Sequence, residues 1–158
     1  MTTPAKPAPV ERKIARKWGN DLTNAGWTAI PSVIIRRQKA LGLSPLDVNI
    51  LLQLLSYWWD PENLPHPSKK SIAQAIGVEP RTVQRRIAAM EHAKFIKRLE
   101  RRSASDATST NNYDFSGLIA AAEPFAREEL NIIAERKRAN DAKLARKRPV
   151  LAVVKKEV

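Results

Sequence analysis

The sequence contains no cysteine and only two histidines among its 158 residues. Disulfide bonds and thiolate chemistry are therefore excluded. The histidines, His66 and His92, lie far apart with no other candidate ligands around them, so we expect no metal and no cofactor. No Ser–His–Asp set, phosphate-binding loop or pair of carboxylates at a glycine-rich cleft is visible, so we expect no enzymatic activity.

Long apolar runs are also missing. No stretch approaches the ~18 apolar residues that a membrane-spanning helix needs. The first 13 residues, MTTPAKPAPVERK, lack the apolar segment of a signal peptide. The sequence therefore predicts a soluble, cytoplasmic protein with no membrane partner.

Negative charge is scarce relative to positive charge. The chain has 28 Lys and Arg residues against 16 Asp and Glu residues, which gives a net charge of +12 and a pI near 10.4. The excess is spread over the beginning, the middle and the end of the chain. Such a surplus indicates a polyanionic partner, and on charge alone DNA, RNA and an anionic membrane all remain possible.

The order of composition along the chain predicts three parts. Residues 1–25, rich in Ala, Pro, Lys and Thr, are predicted to be a flexible basic arm. Within this arm, ERKIARKW could form a short helix with Ile14 and Trp18 on one face. Residues 26–122 are predicted to form the folded domain, and residues 123–158 a basic C-terminal helix and tail.

Two helices are predicted in the first half of the folded domain. After an extended start at Trp27, Ser32 can cap a helix that Gly42 ends. Ser44 followed by Pro45 marks the start of a second helix, because a capping hydroxyl precedes a proline at the first helical position. Its predicted buried face consists of Leu46, Ile50, Leu51, Leu54, Leu55 and Trp58.

A pair of helices and two strands follow. Ser68 is predicted to cap a helix that ends at Gly77, and Glu79-Pro80 begins another that runs to about Ala93. Every third or fourth position of this second helix is apolar, which predicts a buried face of Val83, Ile87 and Met90. The alternation in FIKRLERR and the short NYDF predict a β-hairpin.

The C-terminal part is predicted to be helical from Ser116. Pro124 is expected to break or restart that helix, because proline removes a backbone hydrogen bond. A charged helix is predicted from Pro124 to about Lys147. The fold class is thus mainly α with a small β-hairpin, with a disordered N-terminal arm and a charged C-terminal helix.

The order helix, turn, helix and basic hairpin resembles the bacterial winged helix-turn-helix family. The resemblance rests on SKKSIAQAIGVEPRTVQRRIAAMEHAKFIKR, in which GV forms the turn and RTVQR begins the second helix. The upstream GWTAIP and SPLDVNILLQLL resemble phage and plasmid replication-initiation proteins of this type. The resemblance covers residues 26 to 115. It implies binding to double-stranded DNA and association with the nucleoid.

Residues on the outer side of the second helix are the candidates for contact with bases. A helix fits the major groove and presents its N-terminal residues to base edges, where Arg can grip guanine and Gln adenine. Arg81, Gln84 and Arg85 are the predicted base contacts. For the two arginines the alternative is a surface ion pair with Glu79 or Glu91.

Other polar and basic residues are candidates for contact with the DNA backbone. The predicted phosphate contacts are Ser68, Lys69, Lys70, Thr82, Arg86 and Lys94. The predicted wing contacts are Lys97, Arg98, Arg101, Arg102 and Ser103. For the lysines and the wing, a merely solvated surface is the alternative. Lys94 departs from the family, which usually has Gly there, so either the turn differs or Lys94 contacts phosphate.

Three interpretations of the C-terminal helix remain open. It could pair with a second copy through Phe125, Ile132 and Ile133, it could lie on DNA, or it could be a solvated single helix. Its candidate DNA contacts are Arg136, Lys137 and Arg138. The tail could also recruit another protein. Trp27, Tyr57, Trp58 and Trp59 could stack on RNA, although core or loop packing is the stronger interpretation.

Three functions fit these features. The first is a transcriptional regulator, specifically a repressor, that binds DNA as a homodimer. The second is a replication or partition initiator of a phage, plasmid or integrative element. The third is an adaptor whose winged helix acts mainly through protein contacts.

Overall fold

The computed structural model describes residues 9–101 and 110–146. Within these ranges the chain is mainly helical with one two-stranded antiparallel sheet, as predicted. The elements in chain order are α1 (Pro9–Trp18), α2 (Asn20–Ala25), α3 (Ser32–Arg36), α4 (Pro45–Leu55), α5 (Lys69–Ile76), α6 (Pro80–His92), β1 (Lys97–Leu99), β2 (Asn112–Asp114) and α7 (Ser116–Arg146).

Two of the predicted helix caps are confirmed. The Ser44 hydroxyl accepts a hydrogen bond from the Asp47 backbone N–H at 3.2 Å, and the Asp47 carboxylate accepts one from the Ser44 N–H at 2.8 Å. This reciprocal capping box, with Pro45 at the first position, begins α4. The Ser68 hydroxyl accepts from the Ser71 N–H at 3.0 Å and begins α5.

Helix α3 is shorter than predicted. It starts after Pro31 without a side-chain cap and ends at Arg36, and turns continue the chain to Gly42. Gly42 has a φ of +73° and therefore does occupy the left-handed region that favours glycine. The β-branched run of Val33, Ile34 and Ile35 has low helix propensity, which is consistent with a single short turn.

One hydrophobic core joins α3 through α7. The predicted α6 face of Val83, Ile87 and Met90 is fully buried within it. Helix α4 contributes Ile50, Leu51, Leu54 and Leu55 of its predicted face, and Leu46 is half-buried. Trp58, predicted to continue this face, lies beyond the end of α4 at Leu55 and is half-buried. The buried apolar residues outside α6 are Val33, Ile34, Leu41, Leu43, Ile50, Leu51, Leu54, Leu55, Ile72, Ala73, Ile96, Tyr113, Phe115, Leu118 and Ala122.

The turn between α5 and α6 is tight. Gly77 has a φ of +72°, and the Val78 N–H donates to the Ala73 carbonyl at 3.0 Å. This ends α5 with a left-handed residue and lets Pro80 begin α6 three residues later. Helices α5 and α6 thus form the predicted helix-turn-helix.

The predicted hairpin follows directly. Strands β1 and β2 pair antiparallel, with Lys97 opposite Asp114 and Arg98 opposite Tyr113. Tyr113 is buried, and its N–H donates to the Pro65 carbonyl at 2.9 Å. The base of the hairpin is therefore fixed to the loop that precedes α5. Its tip, residues 102–109, lies outside the described residues.

The N-terminal segment differs from the prediction of a flexible arm. From Pro9 to Ala25 it forms α1 and α2, although neither helix contains a buried residue. Residues such as Ala, Arg, Lys and Glu in α1 have high helix propensity, which favours a helix even without burial. Residues 1–8 of the predicted arm lie outside the described residues.

Pro124 does not break α7, contrary to the prediction. The helix continues from Ser116 to Arg146 with Pro124 inside it. Leu118 and Ala122 before the proline and Phe125 and Ala126 after it pack against the same core, which holds the helix together across the lost hydrogen bond. The predicted boundary between residues 122 and 123 therefore lies within one helix.

Residues 9–101 and 110–146 contain neither a membrane-spanning helix nor a metal-binding cluster. No helix there combines the length and the apolar character that a bilayer crossing requires. Among the same residues, no group of His, Asp and Glu is arranged to hold a metal ion.

Candidate nucleic-acid interface

The outer face of α6 carries the three predicted base-contact residues. Arg81, Gln84 and Arg85 are exposed, on the side opposite Val83 and Ile87. In the part of the chain that the structure describes, neither Arg81 nor Arg85 forms an ion pair. The alternative of pairing with Glu79 or Glu91 is therefore not seen. The two guanidinium groups remain available to an anionic ligand.

Arg86 has a different environment from the one predicted. Its Nε donates to Asp47 Oδ1 at 2.7 Å and its Nη2 to Asp47 Oδ2 at 2.5 Å. The Asp47 side chain is only 1% exposed, and it also accepts a hydrogen bond from the Ser44 hydroxyl at 2.6 Å. Two of the five N–H donors of the Arg86 guanidinium are thus used in a paired contact within the protein.

The charges of this pair stabilise each other. Burial alone would raise the pKa of Asp47, but the hydrogen bonds from Arg86 and Ser44 outweigh it and lower the pKa. The hydrogen bond to Asp47 raises the pKa of Arg86. The pair joins the first turn of α4 to the middle of α6. It therefore fixes the rotation of α6 about its axis, and with it the direction of the outer face.

A second ion pair joins α6 to the hairpin. Arg98 Nε donates to Glu91 Oε2 at 2.7 Å, and the Arg98 backbone N–H donates to Glu91 Oε1 at 3.2 Å. Hydrogen bonds from the Arg98 side chain are the main cause of the lowered pKa of Glu91. Arg98, predicted to contact DNA, is therefore held against α6, where it orients β1.

Lys94 stands where the family usually has glycine, and it adopts the left-handed backbone conformation that favours glycine. Its φ is +60°, and it is exposed. The Lys94 N–H donates to the Glu91 carbonyl and the Phe95 N–H to the Met90 carbonyl, each at 2.9 Å. These two bonds form a Schellman motif, in which Lys94 occupies the position usually taken by glycine. The turn is thus the ordinary one, with a lysine in it.

Gly117 explains how α7 approaches this turn. A Cβ at Gly117 would lie 1.8 Å from the Lys94 carbonyl oxygen. The next residue, Leu118, donates its N–H to the Phe95 carbonyl at 3.0 Å. Only glycine permits this close approach, which places the start of α7 directly against the end of α6.

The start of α5 carries the other predicted backbone contacts. Lys70 is exposed and Lys69 half-exposed, while Ser68 uses its hydroxyl in the cap. Thr82, on the first turn of α6, is half-buried. The first turn of α5 thus combines the Lys69 and Lys70 side chains with backbone N–H groups at a helix start, which favours anions.

The wing residues divide into two groups. Lys97 and Arg101 are exposed, whereas Arg98 is held by Glu91 as described above. Arg102 and Ser103 lie outside the described residues. Neither Lys97 nor Arg101 forms an ion pair within residues 9–101 and 110–146.

The residues predicted for the C-terminal contact differ in their surroundings. Phe125 packs against the core, with the Arg37 guanidinium 5.9 Å from its ring centre, so it is not available to a partner. Ile132 is half-buried and Ile133 is exposed. Of the basic candidates, Arg136, Lys137 and Arg138 are all exposed.

Helix α7 is also held by ion pairs near Phe125. Arg36 donates to Glu129 at 2.6 Å, and Arg37 lies 3.3 Å from Glu128 and 3.5 Å from Glu129. These contacts attach α7 to α3 beyond the predicted domain boundary.

The aromatic residues before α5 were predicted to pack in the core or in loops, and they do so only in part. Trp58 packs against the core with its ring centre 5.5 Å from that of Phe115. Its indole Nε1 is buried without a hydrogen-bond partner among the described residues. Tyr57 and Trp59, in contrast, are exposed.

Three important residues were not singled out by the sequence. Asp47 and Glu91 orient α6 and the wing through their arginine partners, and Gly117 permits the contact with α7. The pattern Ser44-x-x-Asp47 ahead of an apolar run is a capping-box signature and could have identified the cap. No local pattern indicates the pairing of Asp47 with Arg86, which are 39 residues apart.

Comparison with known proteins supports the helix-turn-helix assignment. Residues 41–96 match a protein family described as a helix-turn-helix domain. The matched residues include α5, the turn at Gly77 and α6. The match ends just before β1, and it contains both members of the Asp47–Arg86 pair.

Two solved structures resemble the chain over most of its length. The YusO protein from Bacillus subtilis is 15% identical, with 90% of this chain and 100% of that chain covered and a TM-score of 0.39. The transcriptional regulator PA3341 is 23% identical, with 86% and 91% covered and a TM-score of 0.38. At these TM-scores neither likeness bears on the function of this chain. No curated protein matches it.

Proposed function

We propose that this chain is a transcriptional regulator that binds double-stranded DNA and inserts α6 into the major groove. The observation that carries the proposal is the exposed face of Arg81, Gln84 and Arg85 on the second helix of a helix-turn-helix. Neither guanidinium group forms an ion pair with any residue that the structure describes. These side chains can form the paired hydrogen bonds that distinguish guanine and adenine.

Backbone contacts would come from the elements on either side of α6. Lys69 and Lys70 at the start of α5, with the Ser68 cap, and Thr82 at the start of α6 suit phosphates. Lys94 suits a phosphate at the other end of α6. Arg86 pairs with Asp47 through Nε and Nη2, so its proposed main role is to orient α6, and any phosphate contact would use its remaining N–H groups.

The hairpin would contact the backbone or the minor groove as a wing. Lys97 and Arg101 are exposed and carry this role among the described residues. Arg98 orients the hairpin through Glu91 and is not proposed as a DNA ligand. The net charge of +12 favours association with DNA of any sequence and strengthens it at low salt.

The proposal is tested by selecting bound fragments from random and genomic DNA, followed by footprinting. A palindromic site in a promoter supports a regulator that acts as a dimer. Direct repeats at an origin would instead indicate a replication or partition initiator, which would use the same surface. Absence of any enriched sequence would contradict specific recognition by α6.

A variant of α6 tests the base contacts directly. Arg85→Ala is expected to weaken binding to the selected site by about 1–3 kcal/mol and to relax discrimination at one base pair. Arg127→Ala removes the same charge from an exposed position on α7 that pairs with Glu123, and serves as the control. If Arg85→Ala retains the wild-type ratio of specific to random binding, the base-contact role is wrong.

A further inference from the structure

A cavity lies between the two N-terminal helices and the loop that follows α4. Its volume is about 830 Å³, within the range of roughly 300–1,000 Å³ that is typical of small-molecule sites. The described residues that line it belong to α1, α2, the segment after α2 and the loop after α4, and none belongs to α5, α6 or the hairpin. A ligand in this N-terminal cavity would therefore leave the proposed DNA interface open.

Trp59 offers the cavity a flat surface. The residue is 67% exposed, although tryptophan is highly buried on average. A Cβ at Gly26 would lie 3.4 Å from Cη2 and 3.5 Å from Cζ2 of Trp59, so one edge of the indole lies beside the backbone of Gly26. The rest of the ring is accessible, and a planar ligand can stack on it.

Two arginines give the cavity positive charge. Arg12 and Arg16 are exposed and lie one turn apart on α1, so their side chains share a face of the helix. Neither forms an ion pair within residues 9–101 and 110–146. Glu11 also lines the cavity, which leaves an excess of one positive charge from two arginines and one glutamate. Guanidinium groups at this spacing suit a phosphate, which accepts paired hydrogen bonds from arginine.

Two amides complete the set of polar groups. Asn20 and Asn24 are exposed, lie one turn apart on α2 and both line the cavity. The nearby Thr23 hydroxyl donates to the Gly19 carbonyl at 2.7 Å, so it is already used within the protein. A side-chain amide offers a donor and an acceptor together, as the edge of a nucleobase does. A bare phosphate or an apolar ligand would leave these amides without a partner.

We propose that the N-terminal cavity binds a mononucleotide. The base stacks on Trp59, the amides of Asn20 and Asn24 bind its edge, and Arg12 and Arg16 hold the phosphate. A flat ring, a polar ring edge and an anion occur together in this class of ligand, and the cavity presents a matching group for each. The site does not depend on DNA binding by α6.

The first experiment measures binding to the full chain by calorimetry. The probes are the four ribonucleoside monophosphates, adenosine and ribose 5-phosphate. At least one nucleotide is expected to bind, and the probes that lack either the phosphate or the base are expected to bind about tenfold more weakly, since each loses hydrogen bonds or stacking. No binding of any nucleotide at millimolar concentration would overturn the proposal. Equal affinity for ribose 5-phosphate would also overturn it, because the cavity would then bind anions alone.

The second experiment locates the ligand with matched variants. Trp59→Leu is expected to weaken nucleotide binding at least about fivefold through loss of stacking. Trp18→Leu is its control, because Trp18 is also exposed, at 58%, but does not line this cavity. Arg12→Gln is expected to weaken binding of the nucleotide and not of the nucleoside. Its control is Lys13→Gln, an exposed position on the same helix outside the cavity. Equal effects of a variant and its control would overturn the assignment to this cavity.

Two further measurements separate this site from other binding to nucleic acid. Arg85→Ala should bind the nucleotide as the wild-type chain does, so a failure of the proposed DNA contacts would not affect this result. A short single-stranded oligonucleotide is expected to bind no more tightly at Trp59 than the nucleotide. If it binds far more tightly and Trp59→Leu removes that gain, the cavity takes single-stranded nucleic acid, and the proposal of a mononucleotide ligand is overturned.

Discussion

The guanidinium of Arg86 is held by the carboxylate of Asp47 through two hydrogen bonds of 2.7 and 2.5 Å. The same carboxylate caps α4 by accepting hydrogen bonds from the Ser44 N–H and hydroxyl. One buried group therefore begins one helix and orients another. Because Arg86 follows Arg85 in α6, the direction of the proposed base-contact face depends on a residue of α4.

Asp47→Asn is expected to destabilise the fold. It removes the charge that compensates Arg86 and weakens the capping box, while the arginine remains partly enclosed. Breaking a buried pair by removing one partner costs about 3–5 kcal/mol, and we expect roughly 2–3 kcal/mol here because Arg86 retains some access to water. Urea unfolding measures the difference. Asp141→Asn, an exposed position on α7, is the control. Equal stability of both variants would contradict the role of the pair.

The stability contributed by this pair should disappear in acid. Folding lowers the pKa of Asp47, so the unfolded chain binds its proton more readily than the folded chain. The contribution is therefore complete above the ordinary aspartate pKa of about 4 and is lost as the pH falls through the lowered value. The gap in unfolding free energy between wild type and Asp47→Asn should be wide at pH 7 and should narrow below about pH 4. If the difference in unfolding free energy does not change with pH, the ionised carboxylate of Asp47 is not its cause.

The elements with strong local patterns were predicted well from the sequence. Helix α6 has a proline start and a regular apolar face, and its buried residues Val83, Ile87 and Met90 are confirmed. The turn at Gly77 and the hairpin are confirmed for the same reason, since local steric preferences determine them. The exposure of Arg81, Gln84 and Arg85 follows from the same apolar period.

The features that depend on distant residues could not be predicted. The pairing of Arg86 with Asp47 could be predicted only from knowledge of how α4 crosses α6. The continuity of α7 through Pro124 depends on packing on both sides of the proline, which overrides a local preference. The contact of Gly117 with the Lys94 carbonyl is likewise a property of the assembled fold.

Lys94 offers a test that separates backbone strain from DNA contact. Lys94→Gly is expected to stabilise the fold by about 1 kcal/mol, because glycine accepts a φ of +60° without the Cβ penalty. Lys94→Ala retains a Cβ and should leave the stability close to that of the wild type. If Lys94 contacts a phosphate, both variants should lose DNA affinity equally, with a salt slope reduced by about 0.9. If both variants bind DNA as tightly as the wild type, Lys94 is not part of the interface. If Lys94→Gly is no more stable than the wild type, the backbone of Lys94 is not strained.

The last prediction concerns where the folded unit ends along α7. A chain ending after Glu123 loses Phe125, which packs against the core under the Arg37 guanidinium, and loses the contacts of Glu128 and Glu129 with α3. Loss of the half-buried Phe125 side chain alone should cost about 1–2 kcal/mol of stability. Unfolding in urea measures this, at a concentration where the full chain is monomeric.

A chain ending after Ala134 is the matched control, since it keeps all of these contacts and removes only exposed residues of α7 together with the tail. It should unfold at the same urea concentration as the full chain, because residues 135–145 are exposed and the contacts of Phe125, Glu128 and Glu129 are kept. Equal stability of the two truncated chains would restore the domain boundary near residue 122 that composition suggested. A lower stability of the shorter chain alone would place the end of the folded unit between Pro124 and Ala134, the part of α7 that carries the contacts of Phe125, Glu128 and Glu129.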